Sequence, residues 1–366
     1  RLFFVYVMVA FLLTNRDALV FSQIDLTSRM RSGHAGGAIS FITWKAGEER
    51  ISQFALPFSV QYGVNEEFQL YAVSGPSFSR FSGSTSSPLN SFSDVKAGGH
   101  YLMWNERLLV TFGINLPSGK NRLSATEYTV ASLLSQPALD FTSPLPGEGL
   151  GAQAGLSYAL VVRDWKIGFG TSFFLRGPFQ PFSGQTTSYN PGEEFSFTLG
   201  INRSKWYLDF LYSLYTYDTW AGKNLYKPGP VLLVNLATSF RYGKWDLVFS
   251  LREQVKGADV IAGVTIPESQ RKNRNGNQFE LTGTGYYPLN DALFIQGVLH
   301  LKLYSNNDFG YGGARLFGPG VGAKAELRPG LHLHTLVKYM FGNLLTATRD
   351  VGVTGFVVDA GVGVEI

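Results

Sequence analysis

The chain has 366 residues and a formal charge of +4, too small an excess to point to nucleic acid. Only 16% of residues are charged and mean hydropathy is +0.02, whereas a soluble domain carries about a quarter charged residues. No stretch reaches the roughly 18 to 20 apolar residues of a spanning helix, and the missing cysteines fit an exported protein that does not rely on disulfides.

Taken in order, Leu2 to Leu13 is a short apolar run after Arg1. It suits the core of a secretory signal and is too short to span a bilayer. Val20-Phe21-Ser22 offers small residues at the cleavage positions, so residues 1–22 read as a signal peptide. Residues 23–35 then form an N-terminal segment able to plug a lumen, and 36–366 form the main domain.

A weak strand near Gly36–Lys45 comes first. Phe54, Leu56, Phe58, Val60 and Tyr62 then alternate before a polar turn at Val64–Glu67, and Phe68, Leu70 and Ala72 resume. The pattern repeats on both sides of Asn105-Glu106-Arg107, Arg163-Asp164 and Arg203-Ser204-Lys205. It is clearest in Val231 to Val255. Leu232, Val234, Leu236, Phe240 and Tyr242 fall on one face, and Leu233, Asn235, Ala237, Ser239 and Arg241 on the other. Gly243-Lys244 reverses the chain, and Trp245, Leu247, Phe249 and Leu251 resume the apolar face. Alternation of this kind is the strand period. Further hairpins turn at Pro288–Asp291 and Arg328-Pro329-Gly330, and Phe356 to Ile366 closes the series.

Short polar turns alternate with long connections at Gly75–Phe92, Pro117–Gly149, Gly177–Glu193, Thr216–Pro230, Lys256–Gln278, Ser305–Leu316 and Gly342–Asp350. One apolar row, one polar row and strands of about ten residues describe an all-β, transmembrane, antiparallel up-and-down barrel. The count is about sixteen strands, with fourteen if the first pair lies outside the wall. A large soluble β-domain is the alternative on composition alone. The alternation of turns places the short ones in the periplasm and the long ones outside. Trp104, Trp165, Trp206 and Trp245 each sit beside a short turn, as expected of a membrane-interface girdle.

PFSVQYGVNEEFQL (57–70), SDVKAGGHYLMW (93–104), LLVTFGINLPSGK (108–120) and GEGLGAQAGLSYAL (147–160) together resemble outer-membrane proteins of the phenol-degradation meta-pathway transporter family. That family is distantly similar to the long-chain fatty-acid transporters. The shared pattern is a strand ending in Tyr-Gly, a Gly/Asp-started strand, a strand ending in Leu-Pro-x-Gly, and a Gly-x-Gly restart. It covers about residues 50–180 and is architectural. The resemblance implies passive uptake of small hydrophobic or aromatic solutes across a bacterial outer membrane. The Asn-Pro-Ala plug motif of the fatty-acid transporters is absent.

On the polar rows, the expected lumen-lining residues are Lys96, His100, Lys166, Arg176, Asp209, Arg241, Asp246, Arg252, Glu280, His300, Lys302, Lys324, Glu326, His332, His334 and Lys338. A mixed-sign lining can hold hydrated solutes, or simply stiffen the wall by cross-strand pairing. Phe174, Leu233, Phe294, Leu336 and Met340 also fall on inward rows, as a greasy relay or as packing for a plug. His332 and His334 share a strand face, but completing a metal set would need Glu326 or Asp359, so no metal or other cofactor is expected. Pro117-Ser118-Gly119-Lys120 lacks the spacing of a phosphate loop. No Gly-x-Ser-x-Gly elbow is present and no enzyme is expected. Arg271-Lys272-Asn273-Arg274 is a candidate contact for lipopolysaccharide phosphates. Outer-membrane lipid and a small hydrophobic solute are the expected partners, nucleic acid is not, and a monomer is favoured. The rival reading is a structural or adaptor barrel that binds a partner protein and transports nothing. A lumen sealed by residues 23–35 and the 117–149 connection would favour it.

Overall fold

A computed structural model describes residues 33–83, 86–105, 107–143, 147–263, 276–305, 312–345 and 350–365. The signal at 1–22, most of the 23–35 segment and Arg271–Arg274 lie outside the described residues.

Sixteen antiparallel strands close into a barrel. The wall begins with β1 (His34–Ala46), β2 (Glu49–Ala55 and Phe58–Gly63), β3 (Phe68–Ser74 and Pro76–Ser82) and β4 (Ser86–Phe92 and Val95–Met103). It continues with β5 (Leu108–Leu116), β6 (Gly151–Val162), β7 (Trp165–Arg176), β8 (Glu194–Arg203), β9 (Trp206–Tyr215) and β10 (Val231–Tyr242). Then come β11 (Trp245–Lys256), β12 (Gln278–Pro288), β13 (Leu293–Tyr304), β14 (Gly313–Arg328), β15 (Leu331–Leu345) and β16 (Asp350–Glu365). β16 pairs with β1 from His34↔Glu365 to Ala46↔Val353, which removes both sheet edges.

The expected loop at Gly75–Phe92 is wall instead. Pro76–Ser82 pairs with Ser86–Phe92 and, on its other side, with Glu49–Ala55. Its serine-rich sequence hid the alternation, because serine supplies the inward row while Phe78, Phe81 and Phe92 are spread among polar neighbours. A tight turn at Gly47-Glu48 joins β1 to β2.

Strands β2, β3 and β4 are each interrupted, at Leu56-Pro57, Gly75 and Ser93-Asp94. Pro57 has no N–H to give the ladder, yet its carbonyl accepts from Ala38 N at 2.9 Å. Leu56 N donates to Pro76 O and Ser93 N to Gly75 O, each at 2.9 Å, so the wall stays hydrogen-bonded across the break. A Cβ on Gly75 would come within 2.6 Å of Leu56 O, so only glycine fits between the two strands.

The outward rows carry Phe58, Val60, Phe112, Phe169, Phe197, Phe249, Leu299, Val321 and Tyr339, all exposed. A water-soluble monomer does not carry an apolar belt of this extent. Beside the short turns, Trp104 and Trp206 are 67% and 56% exposed, and Trp165 and Trp245 are exposed as well. The guanidinium of Arg203 lies over the Trp165 ring at 4.7 Å.

Candidate functional site

The connection between β5 and β6 folds into the barrel and carries the helix α1 (Ala125–Leu134). Ser124 starts it: the hydroxyl accepts from Glu127 N, and the Glu127 carboxylate accepts from Ser124 N, a reciprocal capping box. Burial opposes the charge on Glu127, but bonds from Lys120 and Ser124 outweigh it and hold the carboxyl below its usual range. The helix buries Val130, Ala131 and Leu134. They join Ile42, Trp44, Ile51 and Leu89 from β1, β2 and β4, and Leu316, Met340, Val353 and Val357 from β14 to β16. An apolar core therefore lies inside the barrel, on one side of it.

Polar bonds fix the same loop at its base, return and tip. At the base, the buried Asp94 accepts from Gly119 N (2.7 Å), Glu148 N (2.6 Å), Gly149 N (3.0 Å) and Asn115 Nδ2 (3.0 Å). One carboxylate thus ties both ends of the loop, as charge-assisted bonds do most strongly. On the return, Gln53 donates to Ser143 O (2.8 Å) and accepts from Ser143 N (2.9 Å), while Ser40 bonds Thr142 (2.7 Å) and donates to Asp359 (2.6 Å). Trp44 Nε1 donates to Leu139 O at 2.8 Å. Its ring lies on Gly355, where a Cβ would come within 2.7 Å of it. The tip is held by Lys302, which is 0% exposed. Its ammonium donates to Pro137 O (2.6 Å) and to Asp140, and lies 3.2 Å from Glu280 Oε1.

The ladder assigns positions to the residues singled out from sequence. Lys96 stands opposite Asn115 and 3.7 Å from Glu148. His100 is buried with its ring stacked on Tyr71, centroids 5.0 Å apart, and Gln153 donates to the Tyr71 hydroxyl. Lys166 is half-buried opposite Asn202. Arg176 pairs with Glu194 at 2.9 Å. Asp209 is buried and accepts from Asn235, which is in register with Arg252, itself in register with Glu280. Glu280 joins Lys302 and lies 4.0 Å from His300. One ladder thus brings Arg252, Glu280, His300 and Lys302 together. Arg241 and Asp246 form a two-bond pair with each other at the Gly243-Lys244 end. Lys324 lies over the Tyr286 ring at 4.7 Å and faces His334 across the ladder. Glu326 faces His332, which is 4.0 Å from Glu365. Lys338 is half-buried opposite Gly320. Phe174 and Leu336 fall on the same inward rows, while Leu233 and Met340 are buried. Phe294 faces Lys324. His332 and His334 point to different neighbours. Among the described residues, no three His, Cys, Asp or Glu side chains are placed to hold a metal ion.

Sequence reasoning missed Asp94 and Asp140, whose roles depend on backbone brought close only by the fold. The Ser124-x-x-Glu127 signature was present and would have found α1. Sequence reasoning also missed an aromatic series on the long loops. Phe179 meets Tyr189, Tyr189 and Phe182 meet Trp220, and Tyr128 of α1 meets Phe182, with centroids 5.1 to 6.4 Å apart. A small sheet supports it: Tyr189–Asn190 pairs with Asp218–Trp220, which pairs with Lys223–Lys227, and that pairs with Val260–Ile261. The Tyr189 hydroxyl donates to Asp218, and burial together with that carboxylate pushes the phenol above its usual range. A cavity of about 70 Å³ lies beside the interrupted strands, lined by Ala55, Pro57, Val73, Ser74, Lys96 and Glu148 among others.

No protein-family model matches the sequence, and no curated protein sequence does either. Among solved structures, the chain is similar to the CymD monoaromatic hydrocarbon channel at 12% identity. That match covers 96% of this chain and 91% of the other, with a TM-score of 0.46. Pseudomonas aeruginosa OccK7 (OpdD) is 9% identical over 92% and 99% of the two chains, TM-score 0.40. A Rh. blastica porin mutant is 11% identical over 91% and 100%, TM-score 0.38. Likeness at this level transfers no residue role.

Proposed function

We propose that the chain is an outer-membrane channel through which small hydrophobic or aromatic solutes pass passively. The carrying observation is the one-sided filling of the barrel. The 117–149 loop is anchored on β1, β2, β4 and β13 to β16, whereas Lys166 and Arg176 across the barrel stay partly exposed. Water-accessible charges within a barrel of sixteen strands fit an open lumen. The apolar outer belt and the four turn-adjacent tryptophans support membrane insertion with the tryptophans at one headgroup level. In this reading residues 1–22 direct export. The chain catalyses nothing, acts as a monomer, and Arg271–Arg274 meets lipopolysaccharide.

Solute class rests on the aromatic series at the loop end. Rings of Tyr128, Phe182, Tyr189 and Trp220 offer stacking faces, and the resemblance of residues 50–180 to the phenol-degradation transporters points the same way. The adaptor reading draws on the inward fold of the 117–149 loop. Purified protein in liposomes decides between them by single-channel conductance together with uptake of labelled toluene and a long-chain fatty acid. Conductance or uptake is expected. Absence of both would overturn the channel and leave the adaptor.

A further inference from the structure

Lys302 is a wall residue whose whole polar environment includes the loop. It is 0% exposed, in the apolar company of Leu139, Tyr304 and Leu316. A buried ammonium is costly unless fully partnered, and two of its three partners, Pro137 O and Asp140, come from the 117–149 loop. Glu280 of β12 supplies the third. Asp140 reaches the ammonium from a left-handed backbone, φ 51°, a conformation Asp tolerates better than most residues but does not prefer. Its side chain is 52% exposed. The loop tip is thus held against β13 by a charge that has nowhere else to go. Asp94, at the interruption of β4, holds the loop base.

We propose that Lys302 is the positioning residue of the constriction: through Asp140 and Pro137 it pins the loop to one side, and so sets the width left for solute. The loop is then a fixed lining and not a plug pushed aside by each solute. This rests on the channel reading.

The test is single-channel conductance and liposome swelling with sugars of increasing size, for wild type, K302M, D140A and the double variant. Conductance of K302M and D140A at least about doubles and larger sugars pass, as expected where a constriction limits conduction. The double variant adds nothing to either single one, because both remove one contact. K205M, which removes an exposed charge in the short turn between β8 and β9, remote from the loop, keeps the wild-type size limit. Heat-modifiable gel mobility reports folding; if K302M does not fold, D140A, altered only in the loop, decides. A wild-type size limit in folded D140A or K302M overturns the proposal and leaves the channel standing. A silent wild type with conducting K302M overturns passive passage and keeps the latch, and silence in all variants overturns both.

Discussion

Phe249→Arg against Ser250→Arg tests the assignment of faces at adjacent residues. Phe249 is exposed on the outside of β11 and stacks on Phe240 at 5.6 Å with the rings 5° from parallel. Ser250 faces inward, in register with Ala237 and Thr282. Phe249 lies five residues beyond Lys244, which ends the short turn. At a rise of about 3.4 Å per residue and a tilt near 40°, it stands roughly 13 Å from the turn, close to the middle of an apolar band about 25 Å tall. Arginine there costs roughly 2–4 kcal/mol, or about 30- to 700-fold in the folding equilibrium. In the polar interior, Ser250→Arg costs about 1 kcal/mol or less. Reversible urea unfolding in lipid vesicles, followed by tryptophan fluorescence, measures both. Equal losses, or a larger loss at Ser250, would refute the face assignment and with it the register of β11.

Two further outcomes are expected. Asp94→Ala leaves the amides of Gly119, Glu148 and Gly149 without their acceptor, a loss of about 3 kcal/mol or more in local stability; limited proteolysis should then cut within residues 117–149 while the wall resists, and a loop as resistant as wild type would contradict the clamp. On intact cells an impermeant maleimide should label a cysteine at Gln185 and not one at Lys244, and labelling at Lys244 alone would invert the topology.

The wall was legible because its physics is local and periodic. Phe195 to Ile201, or Trp206 to Leu214, announce their outward row at every second residue, and no distant contact is needed to read it. Where the period was diluted, it was misread. Pro76 to Phe92 carries its inward row on serines, and serine marks loops and lumen-facing strands equally well. Pro57 and Pro76 also look like loop punctuation, yet here they interrupt strands whose hydrogen bonds resume on the far side. Composition cannot separate a broken strand from a turn, since both use residues that lack an N–H or tolerate unusual backbone.

The lumen was legible only as a list of inward side chains, because alternation gives a face but not a neighbour across the barrel. Lys302 sits on the same row as Glu280 and His300 by register alone, so their meeting follows from strand pairing. Its partner Asp140 lies 162 positions away in a segment with no period at all. The loop turns inward because its apolar residues, Val130, Leu134, Leu139 and Phe141, have inner-wall counterparts in Trp44, Leu89, Leu316 and Met340. Those counterparts stand on rows otherwise filled by polar residues and glycine. An apolar side chain on a predicted polar row, such as Met340, is therefore the readable trace of something packed inside the barrel, and the clustering of its companions on β13 to β16 and β1 to β4 tells which side is covered. Met340, one of the residues that admit a greasy relay, thus marks instead the seat of the inward-folded loop.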